Sequence, residues 1–301
     1  MQDIIENNLD FSNKKKEFSQ CGEERICSEL FKQIGITNKY GIECGALDGV
    51  HGSNLRQFIL DGWSALLIEA DGSAFERLSK NYASYEKVQC VNTFISFSGE
   101  HTIDILFEKF GVPKDCDLFV LDIDGNEYHI WDSMEKYRPR LMVIEFNPTI
   151  PNEVSFVQPR DMRIQQGSSL RALSELAEKK DYMLVALTAM NAFFVRKTDA
   201  EAFKGLDNNL EKLRPTNLYE TKLYQLYDGT LKISGNKKLI WNKLMIEEDM
   251  IQVLPKNKRF FSNGVSHKAW VRSIKHKLRN TSIYPLIRKI RKINFFRRIM
   301  Q

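Results

Sequence analysis

The feature that most constrains this chain is a repeated alternation of short apolar runs with amphipathic segments, several of the runs ending on an acidic residue. YGIECGA (40–46), ALLIEA (65–70), VQCVNTFI (88–95), DLFVLDI (117–123) and LMVIEF (141–146) read as strands. Amphipathic stretches at about 53–61, 73–83, 101–110 and 127–136 fit between them as helices, and another fits before the first strand, at 20–34. Strand and helix in alternation imply βαβ units and a parallel sheet covered on both faces. Ser73 followed by Glu76 has the pattern of a capping box, and Gly111 before Pro113 stops the next helix.

The rhythm breaks after Pro148. Residues 151–167, rich in Pro, Gln and Asn, read as a loop long enough for a lid or binding loop. A helix from Ser168 or Ser169 to about Lys179 and two strands, YMLVAL (182–187) and NAFFVR (191–196), close the domain as a hairpin. A further hairpin is expected around Asp228-Gly229, between YQLY and LKIS. The resulting division is a helical segment over 1–35, a main domain over 36–200, an accessory region over 201–262 and a tail over 263–301.

Ligands bind in open α/β sheets beyond the carboxyl ends of the strands. GIECGALDGVHG puts Glu43, Gly45, Asp48 and Gly49 there, ahead of a helix, with glycines that permit a sharp turn. Glycines at 45, 49 and 52 do not match G-x-G-x-x-G, so a pyrophosphate turn fits poorly. An acid in that loop suits a ligand carrying ammonium and sulfonium better. Glu69 ends the next strand, where a carboxylate can accept both hydroxyls of a ribose. LDIDGNEYHIW and VIEFNP add Asp122, Asp124, Glu127, Glu145 and Asn147 at strand ends. Crowded carboxylates raise one another's pKa and so poise a general base. The same oxygens also admit a divalent cation, and Asp124-Gly125 and Asn147-Pro148 also read simply as a turn and a strand stop.

These stretches, with SQCGEERICSELF (19–31) and QGSSLRALSEL (166–176), resemble the FkbM-like S-adenosylmethionine-dependent methyltransferases over most of residues 19–196. The resemblance implies a Rossmann-like α/β fold with a mostly parallel seven-stranded sheet, the last strand antiparallel. It implies S-adenosylmethionine as cofactor and assigns Glu43, Gly45 and Asp48 to the first motif, Glu69 to the ribose and Asp122 to the methyl donor. Gln20, at a polar position before the first helix, would also reach the cofactor. Ala46-Leu47 stand where another glycine is common. Family members methylate hydroxyl groups of sugars or other secreted small molecules, which implies a glycan or small-molecule acceptor and a place in surface polysaccharide biosynthesis. An in-line methyl transfer needs an aligned acceptor oxygen and a base. Asp124 and Glu145 are the candidate bases, and His51 and Asn147 the orienting groups. His51 reads equally well as a helix cap.

Composition sets the remaining expectations. Five cysteines without a C-x-x-C pair indicate neither a disulfide framework nor a zinc ribbon. The amino terminus has no signal-like apolar stretch and no apolar run nears the roughly 20 residues of a spanning helix, so a cytosolic location is expected. Residues 250–301 hold 14 Lys and Arg and no acid, leaving 30 basic and 39 acidic residues before them. From Ile283, Leu286, Ile287, Ile290, Ile293, Phe296 and Met300 recur at helical steps among basic residues. An amphipathic helix within 266–301 that binds the anionic inner face of a membrane is the expectation, packing on the acidic body the alternative. The acidic body argues against nucleic acid. Two rival functions stay open: a nicotinamide-dependent oxidoreductase, and a non-catalytic Rossmann-like module tethered to membrane or nucleic acid by its tail.

Overall fold

A computed structural model describes residues 18–214, 219–239 and 242–260 of the chain. The expected tail helix, and with it residues 263–301, lies outside the described residues. The chain divides into two compact units between Glu220 and Thr221.

The first unit is built on seven strands: β1 (Tyr40–Cys44), β2 (Ser64–Glu69), β3 (Val88–Asn92), β4 (Leu118–Leu121), β5 (Leu141–Glu145), β6 (Tyr182–Leu187) and β7 (Asn191–Arg196). Their order is β3-β2-β1-β4-β5-β7-β6. Strands β1 to β5 pair in parallel, and β7 runs antiparallel to β5 and β6. This is the expected Rossmann-like sheet, mostly parallel and seven-stranded with the last strand antiparallel. β7 enters between β5 and β6, so the β6–β7 hairpin closes the edge rather than simply extending it.

Among the described residues, six α-helices of five residues or more cover the two faces: α1 (Glu23–Ile34), α2 (Arg56–Leu60), α3 (Gly72–Tyr82), α4 (Ile103–Lys109), α5 (Glu127–Ser133) and α6 (Leu170–Lys179). Strand side chains alternate between faces. Ile42, Leu66, Phe119, Ile144 and Phe194 meet Phe107, Trp131 and Leu173 of α4, α5 and α6. Leu67, Val120, Val143 and Phe193 meet Phe31, Phe58 and Leu78 of α1, α2 and α3. Both faces of the central strands are buried, which explains their unbroken apolar sequences.

One local reading is corrected. The N-cap of α3 is Asp71, whose carboxylate accepts from the Ala74 amide at 2.8 Å, and Ser73 lies inside the helix, its hydroxyl donating to Asp71. Asp71 has the extended backbone that an N-cap needs. For α6 the choice falls on Ser169, which accepts from the Ala172 amide. Residues 151–167 contain no helix or strand.

The second unit contains the expected hairpin, β8 (Thr221–Gln225) paired antiparallel with β9 (Leu231–Gly235). Two short strands, β10 (Lys238–Leu239) and β11 (Leu244–Met245), pair beyond it. Among the described residues no helix is long and apolar enough to cross a membrane.

Candidate active site

Strand order reverses between β1 and β4, and the crevice at a doubly wound sheet's carboxyl edge opens at such a reversal. Register places the groups there. Cys44 pairs with Ile68 and Leu121, Leu121 with Ile144, and Glu145 with Asn191. One residue further along, Glu69, Gly45, Asp122 and Glu145 form a row that Asn191 continues on β7. Their neighbours two residues away, Leu67, Val120, Val143 and Phe193, all belong to the core under α1, α2 and α3. The side chains of Glu69, Asp122, Glu145 and Asn191 therefore share that face, and Gly45 leaves the middle of the row bare.

Gly45 is fixed by the sheet itself. A Cβ there would stand 1.8 Å from the Asp122 carbonyl oxygen, and its φ of 81° lies in the left-handed region. Gly49 is equally constrained, since a Cβ would meet the Tyr82 ring at 2.3 Å and Leu78 at 2.5 Å. These two glycines let the 45–49 loop lie against β4 and α3. Glu43 is buried beneath the loop and accepts from the Ser53 hydroxyl and the Asn54 amide, both at 2.6 Å. Burial pushes its carboxyl up to about 7, against the pull of those bonds.

Glu69 is buried, and each of its carboxylate oxygens accepts one amide at 2.7 Å, Leu47 on one side and Asp71 on the other. The acid thus ties the β1 loop to the start of α3 while each oxygen keeps a second lone pair. Leu47, held by that bond, sits at φ 50° and is 54% exposed. A left-handed leucine on the surface is a strained arrangement of the kind that collects at ligand sites. Phe94, just past β3, is 51% exposed and lies over the His101 ring at 4.0 Å between centroids.

Asp122 and Glu145 touch through their side chains. Both carboxyls are pushed well up, first by burial and then by neighbouring charge, Asp124 acting on Asp122 and Asp122 on Glu145. Two carboxylates in contact cannot both ionise at little cost, so the pair holds one proton.

The segment after β4 is an unusual turn: Asp124, Gly125 and Asn126 all have positive φ, at 61°, 133° and 73°. Glu127 holds it, one oxygen accepting from Gly125 at 2.6 Å and Ile123 at 3.3 Å. Its other oxygen is buried with no hydrogen-bond partner among the described residues, and burial pushes the carboxyl up to about 7. Asn126 donates to the Asp161 and Ile164 carbonyls, joining the turn to the 151–167 loop. Asp124 is exposed at the tip.

The remaining sequence candidates stand apart from the row. Asp48 accepts from the Val50 and His51 amides and from the exposed His51 ring at 2.8 Å, closing its own turn. Asn147 is buried, donates to the Gln166 carbonyl at 2.9 Å and accepts from the Thr149 amide and hydroxyl, which anchors the far end of the loop. Gln20 is exposed, next to Ser19, which bridges to Gly52. Among the described residues no group of three His, Cys, Asp or Glu is arranged to hold a metal ion.

Sequence reasoning overlooked two participants. Glu23, fully buried at the start of α1, accepts from Thr188 at 2.9 Å and Asn191 at 3.3 Å. Asn191 is buried, and its side-chain oxygen has no partner among the described residues. Glu23 reads in sequence as one of two ordinary first-turn acids, and only the insertion of β7 beside β5 brings Asn191 level with Glu145.

No family model matches the chain, and no curated protein matches it in sequence. Among solved structures it is similar to a TehB-like SAM-dependent methyltransferase from Corynebacterium glutamicum, at 14% identity over 65% of this chain and 96% of that one, TM-score 0.38. A putative caffeoyl-CoA O-methyltransferase from Staphylococcus aureus is similar at 13% identity over 65% and 90%, TM-score 0.39. The N-terminal domain of EvdMO1, solved with SAH bound, is similar at 13% identity over 64% and 94%, TM-score 0.35. These are likenesses. The fold rests on the order and direction of its own strands.

Proposed function

We propose that this chain is an S-adenosylmethionine-dependent O-methyltransferase whose acceptor is a sugar hydroxyl of a surface glycan or a related small molecule. The observation that carries the reading is the row Glu69, Gly45, Asp122, Glu145, with a proton-sharing carboxyl pair at the point where strand order reverses.

The donor set fits the cofactor. Glu69 keeps lone pairs for the two ribose hydroxyls, exposed Leu47 and Phe94 flank it as apolar surface for a base, and the Asp122–Glu145 pair offers its one negative charge to an ammonium and sulfonium. The glycines of the loop, at 45, 49 and 52, lack the G-x-G-x-x-G spacing of a pyrophosphate turn, which disfavours a dinucleotide. Glu43, Asp48 and Gly49 set the course of the loop under the cofactor, and Gln20 borders it. When bound, the cofactor supplies an electrophilic methyl carbon. The chain's own work is to align the acceptor oxygen and take its proton. In the singly protonated pair, the ionised carboxylate accepts the hydroxyl proton as the oxygen–carbon bond forms and the carbon–sulfur bond breaks. We assign that base role to Glu145, in the form of the pair whose one proton sits on Asp122. Asp124 and His51 lie at the exposed rim, where they contact an acceptor rather than the reacting atoms.

The test is formation of S-adenosylhomocysteine from S-adenosylmethionine with a panel of neutral glycosides. Glu145→Gln should lower turnover roughly 10²- to 10⁴-fold, the range of general-base catalysis, with affinity for S-adenosylhomocysteine retained. Full activity in that variant removes the base assignment, and an absence of turnover with every hydroxyl acceptor removes the O-methyltransferase reading.

A further inference from the structure

The second unit carries an apolar surface that the methyltransferase reading does not use. Its hairpin has almost no core, Ile233 being the one buried hydrophobic residue among those described in this unit. A two-stranded hairpin alone is marginal in water. Here the free side of β9 is braced by residues 248–254. Glu248 accepts from the Ile233 amide at 3.1 Å and ion-pairs with Lys232, and Gln252 exchanges two hydrogen bonds with the Leu231 backbone at 2.9 and 2.8 Å. The brace ends at the turn, where a Cβ on Gly229 would meet Leu254 at 2.6 Å.

This geometry gathers exposed apolar groups at one end of the hairpin. Tyr227, at the turn, is 94% exposed and Leu226 beside it 42%, while Leu254, which packs on Gly229 of the turn, and its neighbour Val253 are 36% and 82% exposed. Cations flank them. Half-buried Arg259 lies near Asp228, whose carboxyl is held down first by the Thr230 hydrogen bonds and less by Arg259, and exposed Lys256 and Lys258 precede it. Asp228, the acid at this tip, is occupied by the Thr230 amide and hydroxyl at 2.8 and 2.9 Å. The other acids of the brace, Glu247, Glu248 and Asp249, fall at its opposite end, toward Ile233. From Met250 to the last residue the chain contains no acid at all.

We propose that this hairpin tip docks on an anionic lipid surface, with Tyr227, Val253 and Leu254 entering the headgroup region and Arg259, Lys256 and Lys258 facing lipid phosphates. An amphipathic aromatic, exposed aliphatics and a collar of cations are the composition of an interfacial anchor. Charge decides between occupants: a second copy would bring like-charged tips together, whereas each cation near an anionic leaflet strengthens binding roughly fivefold. It is formed by residues other than those of the expected tail helix, 266–301, and it does not depend on the reaction catalysed.

The experiment is co-sedimentation of the full chain with phosphatidylcholine vesicles and with vesicles containing phosphatidylglycerol, at low and high salt. Val253→Asp with Leu254→Ser, and separately Arg259→Glu, are compared with the unaltered protein, and thermal melting and light scattering monitor fold and oligomeric state. The expected result is binding to the anionic vesicles that salt weakens, and a partition coefficient at least tenfold lower in each variant with the melting temperature unchanged. Equal binding by the variants and the unaltered chain would overturn the proposal, because other segments would then carry the contact. So would indifference of the intact chain to anionic vesicles at low salt, or a dimer that the variants dissociate.

Discussion

Glu127→Gln isolates the electrostatics of the site without any acceptor being known. Glu127 is buried, its carboxyl stands at about 7 against an ordinary 4.5, and burial is the main cause. A group with a raised folded-state pKa contributes stability that is fully present below its unfolded pKa and lost as pH rises through the folded value. Across pH 5 to 8 this one carboxyl therefore costs the unaltered protein about 2.5 kcal/mol, at about 1.36 kcal/mol per pKa unit and allowing for partial titration at both ends. Glutamine retains the oxygen that accepts from Gly125 and Ile123 and has no proton to lose. The expected outcome is a variant close to the unaltered protein at pH 5 that gains on it steadily to pH 8. Glu43, also raised to about 7, affects both proteins alike and cancels in the comparison. Urea denaturation at four pH values measures the gap. Profiles that stay parallel within about 0.5 kcal/mol would refute the reasoning, because titration of a buried Glu127 must separate them.

Two further substitutions test the packing behind the site. Gly45→Ala places a methyl group against the Asp122 carbonyl at a left-handed φ, so destabilisation of roughly 3 kcal/mol or more is expected in thermal melts; a near-neutral effect would mean that the loop does not lie against β4. Asn147→Ala removes the bonds to Gln166 and Thr149 and should cost about 1 to 3 kcal/mol, with faster amide exchange confined to the 151–167 loop; unchanged exchange there would show that the anchor lies elsewhere.

The sheet was legible in the sequence because its signal is local: unbroken apolar runs between amphipathic helices, each run about one strand long. Helix caps were less so. Ser73 looked like a cap because Glu76 follows it at capping-box spacing, whereas the extended backbone that makes Asp71 the N-cap is not visible in sequence. Glu69, Asp122 and Glu145 were found from their place at strand ends, a property that chain order alone reveals. Their relations were not. That Asp122 touches Glu145, that Gly45 lies against the Asp122 carbonyl, and that Asn191 stands level with Glu145 all follow from register between strands distant in sequence. The oxygens of Asn147 and Asp48 looked available until local hydrogen bonds occupied them. Glycines in the first loop read as ligand-facing, whereas Gly45 and Gly49 are required by the protein's own packing.

The most direct test of the central claim is isothermal titration calorimetry of the purified chain with S-adenosylhomocysteine and, separately, with NAD, repeated on Glu69→Gln. The account predicts binding of S-adenosylhomocysteine and not of NAD. It also predicts affinity for S-adenosylhomocysteine at least tenfold weaker in the variant, since charge-assisted hydrogen bonds are worth about 1.5 to 3 kcal/mol each. Binding of NAD alone, or affinity for S-adenosylhomocysteine that is indifferent to the loss of the Glu69 charge, would contradict it.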